Sequence, residues 1–118
     1  MSNNSQIAFA PLGETVVIAA AASAPAGLQV PVYAKFDPQN AGQYRITNAS
    51  TTVTVFLGFG GTAADATANA VAPIAGNPSP AVVLMPGTTS ILRMSNAAYF
   101  SALAASGVTV YITPGQGL

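Results

Sequence analysis

Glycines stand closest to a recognisable chemistry in this chain. Gly58-Phe59-Gly60-Gly61-Thr62-Ala63 has the spacing G-x-G-x-x-G/A, which cradles a pyrophosphate where a strand turns into a helix. The chemistry also needs a helix opening at the glycines and an acidic residue about 20 positions later for the ribose. No Asp or Glu follows Asp65. A dinucleotide domain moreover needs several βαβ units of about 30 residues each. The chain has 118 residues, enough for one core. The reading is therefore a strand end whose glycines permit a tight turn or bulge, with no cofactor.

The remaining chemistry is sparse. Glu14, Lys35, Asp37, Arg45, Asp65 and Arg93 are the only charged side chains, and they sum to zero. Histidine, cysteine and tryptophan are absent. Metal ligands would have to be oxygens, yet the three acids are far apart, each beside a turn. No histidine serves as a base, no Ser-Lys pair is evident, and no two acids form a motif for paired-carboxylate catalysis. The expectation is a protein that is not an enzyme, with no catalytic, metal or cofactor-binding residues.

Charge also bears on partners. Charged residues make up 5% of the chain, against roughly 25% in an ordinary soluble domain. Three separated cations argue against nucleic acid, which needs several on one face. The longest apolar run, Val16 to Ala22, is well short of the roughly 20 residues of a spanning helix. "VVIAAAASAPA" has the look of a secretory leader's apolar core, but no positive charge precedes it and Glu14 stands at its start. It reads as a strand. Neither nucleic acid nor a membrane is expected as a partner. A surface this poor in charge implies a protein covered by copies of itself or by a partner. The alternative is a surface made soluble by Asn, Gln, Ser and Thr.

The elements that would position any site read as strands. Residues 1–6 are polar and aperiodic, a flexible N-terminal arm ahead of a domain spanning 7–118. Ile7 to Ala10 is short and extended, and Thr15 to Ala22 is a strand. Leu28 to Phe36 alternates imperfectly, with Leu28, Val30, Val32, Ala34 and Phe36 on the inward side and Pro31 marking an edge or bulge. Gln43 to Thr47 places Tyr44 and Ile46 inward and Arg45 outward. The polar loop Asn48-Ala49-Ser50 joins it to Thr52–Phe59 as a hairpin.

Ala64 to Ala70 alternates alanine with polar residues, the period of a half-buried strand. Alanine's intrinsic preference keeps a helix open there as well. Ala81 to Met85 and Ser90 to Met94 are strands about a Pro86-Gly87 turn. Ser95 or Asn96 caps a short helix through Ser106, with Tyr99 and Leu103 on one face. Val108, Val110 and Ile112 face inward on the last strand. The pattern predicts an all-β, single-domain β-sandwich or jelly roll with at most one short helix. Tyr33 and Tyr111 fall opposite the inward positions of their strands, and Ile7 and Phe9 follow the arm. These four are the interface candidates.

Three stretches carry a resemblance: "QYRITNASTTVTVFLGFGGT", "AVVLMPGTTSILRM" and "GVTVYITPGQGL". Together they resemble small virion proteins of tailed bacteriophages, notably capsid cement or decoration proteins with a β-sandwich fold. The resemblance covers Gln43 to Leu118; its motifs are short and rich in turn residues. It implies a structural protein, made in the host cytoplasm and placed on the outer capsid surface of the virion. There it would act as a dimer or trimer that bridges major capsid proteins. A neck, tail or fibre-base module fits the same residues. A carbohydrate-binding sandwich is a third class, weakened by the lack of Trp and of clustered acids.

Overall fold

A computed structural model describes residues 10–11, 14–30, 43–93 and 99–116. Their strands are β1 (Ala10–Pro11), β2 (Val16–Ala20), β3 (Leu28–Gln29), β4 (Gln43–Asn48), β5 (Val55–Gly60), β6 (Val82–Leu84), β7 (Thr89–Arg93), β8 (Tyr99–Ala104) and β9 (Val108–Gln116). One helix, α1 (Ala63–Asn69), follows β5. All named strand pairs are antiparallel.

The first sheet runs β2-β9-β4-β7, with β1 extending the β2 edge along β9; the second runs β3-β8-β5-β6. The two orders correspond place by place. Strands consecutive in sequence (β2 and β3, β4 and β5, β6 and β7, β8 and β9) hold the same position in opposite sheets. The links from β3 to β4 and from β7 to β8 change sheets too, and the four links just named each cross between the layers. The registers Ala20↔Val108, Thr47↔Thr89, Val55↔Leu84 and Val55↔Ala104 put these crossings at one end of the molecule. Two four-stranded sheets wound in this order make a jelly roll.

The core follows from period-two burial on both sheets. Ile18, Tyr44, Ile46, Val110 and Ile112 of the first sheet meet Val55, Leu57, Leu84, Phe100 and Ala102 of the second, all buried. Tyr44 and Phe100 pack edge to face across the layers, with centroids 5.1 Å apart and planes at 67°. The inward assignments of Tyr44, Ile46, Val108, Val110 and Ile112 hold, and Arg45 is exposed.

Four expectations are corrected. β4 and β5 do not form a hairpin: β4 pairs with β7 and β9, and β5 with β6 and β8. Their polar connection is a crossing between layers. The segment Ala63–Asn69 is helical, not extended. Its Ala66 and the following Ala70, four residues apart, are the buried pair, as a helical face requires. The helix expected near Ser95 to Ser106 is instead strand β8 from Tyr99 to Ala104, with residues 94–98 outside the described set. Leu28 is exposed, since β3 is a two-residue edge strand, whereas Val30 is fully buried. The rest of the expected Leu28–Phe36 strand, from residue 31 on, lies outside the described residues, as does the arm at 1–6.

Candidate functional site

The glycine motif leads into a helix after all. Thr62 has an extended backbone and caps α1, its hydroxyl accepting from the Asp65 N–H at 3.1 Å. Asp65 stands in the first turn, where a negative charge favours the helix. We expect Thr62→Ala to lower stability by about 1 kcal/mol through loss of this cap; urea unfolding would measure it.

What the glycines do is mechanical. A Cβ at Gly58 would lie 2.7 Å from Ala70 Cα and closer still to Ala66 O and Ala70 N. One at Gly60 would meet the Asp65 Cβ at 2.7 Å. Across the loop, one at Gly27 would lie 2.7 Å from Ala63 O. The helix thus occupies the space side chains would fill. The motif does stand at a strand end, β5 closing at Gly60 before a bend at 61–62, but Gly76 and Gly87 are the positive-φ glycines among the described residues and none of the motif glycines is one.

Hydrogen bonds complete this attachment. Thr67 Oγ1 and Ser101 Oγ both donate to Pro25 O, at 2.9 and 2.7 Å, and Asn69 Nδ2 donates to Phe59 O at 2.8 Å. Thr62 takes up the Asp65 N–H, and the backbone of α1 fills the space beside Gly58 and Gly60.

No group of three or more His, Cys, Asp or Glu that could hold a metal occurs among the described residues. No buried side-chain polar atom among them lacks a hydrogen-bond partner. No helix there is long and apolar enough to cross a membrane.

The surfaces are more informative than the polar groups. Tyr111 is 42% exposed on the outer face of the first sheet, beside Val17, which is 50% exposed and its direct partner across β2 and β9. The row continues through Thr47 to Thr89, whose hydroxyls are 3.0 Å apart. Tyr111 is therefore outward as the alternation required, and it is paired with a valine. The same alternation that puts Ile18 and Ala20 inward marks Val17 as outward. The other three interface candidates, Ile7, Phe9 and Tyr33, lie outside the described residues.

A second apolar surface lies on the outer face of the second sheet. Phe56 is paired with Val83 on one side and Leu103 on the other, forming an apolar row across β6, β5 and β8. Phe56 and Leu103 are half-buried and Val83 is 44% exposed. Beside the row is a cavity of about 250 Å³ lined by Ala22, Phe56, Ala72, Leu103, Ala104 and Ala105. Sequence reasoning missed this row, because it placed most large aromatics in the core. Strand parity gives it: Val55 and Leu57 are buried, so Phe56 faces away.

Searches against protein-family models, characterised proteins and solved structures find no match to this chain.

Proposed function

We propose that this chain is a structural subunit of a virus particle: a cement or decoration protein that packs on the outer surface of a tailed-phage capsid and bridges its major capsid proteins. The observation that carries the reading is the pairing of very few charges with large apolar side chains exposed on both outer faces. Val17 and Tyr111 lie on one sheet and Val83 on the other, in a chain with six ionised side chains. Exposed apolar area gains about 25 cal/mol per Å² when covered, before association costs. On a symmetric shell, many weak contacts add through avidity. Jelly rolls occur in capsid proteins and also in lectins and cupins, so the fold by itself does not select among them. The resemblance read in the three sequence stretches between Gln43 and Leu118 is what favours the first.

The test is binding to heads that lack the protein. Purified chain is expected to co-sediment with such heads and to saturate at a copy number comparable with that of the shell subunits. Saturation at a few copies per particle would move the protein to a neck, tail or fibre-base position. Failure to bind would remove the reading.

A further inference from the structure

The sandwich is closed along one edge and open along the other. At the β2–β3 edge the core-facing Ile18, Ala20 and Val30 are at most 1% exposed. At the β6–β7 edge Val82 and Leu92 pack against the core yet stay half-buried, and no residue of β7 is buried. Among the described residues β4 is the one strand that pairs with β7, so its far side is bare. Proteins guard such edges by keeping them short or by setting proline and charge on them. In the second sheet β3 has two residues, and β6 has three between Pro80 and Pro86. β7 has five, with no proline and one charge, Arg93, at its end.

The ladder shows which backbone groups are bare. The Asn48 N–H donates to Thr88 O. Hydrogen-bonded pairs alternate along an antiparallel ladder, so Ile46–Ser90 and Tyr44–Leu92 are the bonded pairs of β4 and β7. The N–H and C=O groups of Thr89, Ile91 and Arg93 therefore point away from the sheet.

We propose that β7 pairs edge to edge with β7 of a second copy of the chain, antiparallel about a two-fold axis at Ile91. Directional bare groups call for another strand, since an apolar surface leaves them unsatisfied. The three residues are symmetric about Ile91. A copy turned by the two-fold axis thus sets Ile91 against Ile91 and Thr89 against Arg93, and every bare group on both edges gains a partner. Charge agrees with this direction. Arg93 meets a threonine hydroxyl, whereas parallel in-register pairing would set Arg93 beside Arg93, like charge on like. On the inner face Leu92 becomes the diagonal neighbour of the partner's Leu92, so one contact covers the open end of both cores. The inference does not depend on the protein belonging to a virion.

Sedimentation equilibrium of the full chain tests it, with charge placed at the exposed Thr89. The wild-type protein is expected to show a reversible dimer. Thr89→Lys, which opposes Arg93 of the second copy, is expected to raise the dissociation constant about tenfold over its two symmetric pairs. Thr89→Asp is expected to lower it by about as much. Both variants lose the same hydroxyl bond to Thr47, so an effect on folding would move them in the same direction. Cysteine crosslinking reads the register in a chain that has no thiol of its own. Two Ile91→Cys residues face each other with Cα atoms about 5.5 Å apart, within a disulfide's reach, and are expected to link on oxidation. Two Thr89→Cys residues lie about 14 Å apart along the strands and are expected to stay free. A chain that remains monomeric at its highest soluble concentration would overturn the proposal. So would charge variants that shift association in the same direction, or a Thr89→Cys link formed in preference to the Ile91→Cys one.

Discussion

Replacing Asn48 with alanine is expected to lower the stability of the fold by about 3–5 kcal/mol, the summed loss of several buried and part-buried hydrogen bonds. Asn48 is the last residue of β4 and fully buried. Its side-chain N–H groups donate to Val53 O at 2.9 Å and Leu84 O at 3.0 Å, with Met85 O at 3.3 Å sharing the second. Its side-chain oxygen accepts from the Ser50 N–H at 3.0 Å, and its backbone N–H donates to Thr88 O at 3.0 Å. One amide thus ties the β4–β5 crossing to the β6–β7 crossing beside it. Alanine takes the donor from the buried Leu84 carbonyl and from the part-buried Val53 carbonyl, and a buried group left unsatisfied costs about 1–3 kcal/mol.

For a chain of this size the loss corresponds to a fall of roughly 10–20 °C in melting temperature, read by circular dichroism. Asn48→Asp should be at least as harmful, because a carboxylate offers no donor to those carbonyls and brings a buried charge. A midpoint for Asn48→Ala within about 2 °C of wild type would mean the crossings hold without this amide.

How much of this was visible in the residues depends on whether a pattern is unique to one structure. The alternation of Gln43 to Thr47 and of Val108 to Ile112 fits a strand alone, and both segments are strands with the inward residues expected. Tyr99 and Leu103 illustrate the opposite. A spacing of four residues places two side chains on one face of a helix and equally on one face of a strand, so it could not decide between them. In the structure Phe100, Ala102 and Ala104 are buried members of β8. Ala64 to Ala70 is ambiguous for a related reason. Alternating alanines satisfy period two, while Ala66 and Ala70 also satisfy a helical stripe. The helix prevails because Gly58 and Gly60 let it approach the sheet closely.

The crossings were illegible for a different reason. A short polar link closes a hairpin or passes between layers with the same composition, and the difference lies in the partners of the flanking strands. Asn48 looked like an ordinary turn residue, though its amide satisfies groups 36 and 37 positions away. Of the surface residues, Tyr111 was legible because its strand alternates cleanly. Phe56 was not, since a large aromatic in a chain rich in alanine reads as core filling. The core instead draws its aromatic bulk from Tyr44 and Phe100 and is thinned by Ala20, Ala102 and Ala104.

Gly58 carries the second large effect. Gly58→Ala is expected to destabilise the protein by about 3 kcal/mol, the upper part of the range for forcing extra volume into a packed site. The added methyl would overlap Ala66 O, Ala70 N and Ala70 Cα. All three are backbone atoms, so no side-chain rotation relieves the clash and the helix must move off β5. Such a movement would also strain the bonds from Thr67 to Pro25 O and from Asn69 to Phe59 O.

Gly61→Ala supplies the contrast a few positions on. A Cβ there meets nothing within 4 Å, and Gly61 has no positive φ. Removing backbone freedom from the unfolded chain should then leave stability unchanged or raise it by about 0.5 kcal/mol. Urea unfolding of the two variants, with amide exchange across residues 63–69, separates the explanations. If the glycines serve helix packing, Gly58→Ala loses stability and exchange protection in α1 while Gly61→Ala keeps both. If they serve backbone freedom in a turn, Gly61→Ala should be the more damaging of the two, and the packing account fails.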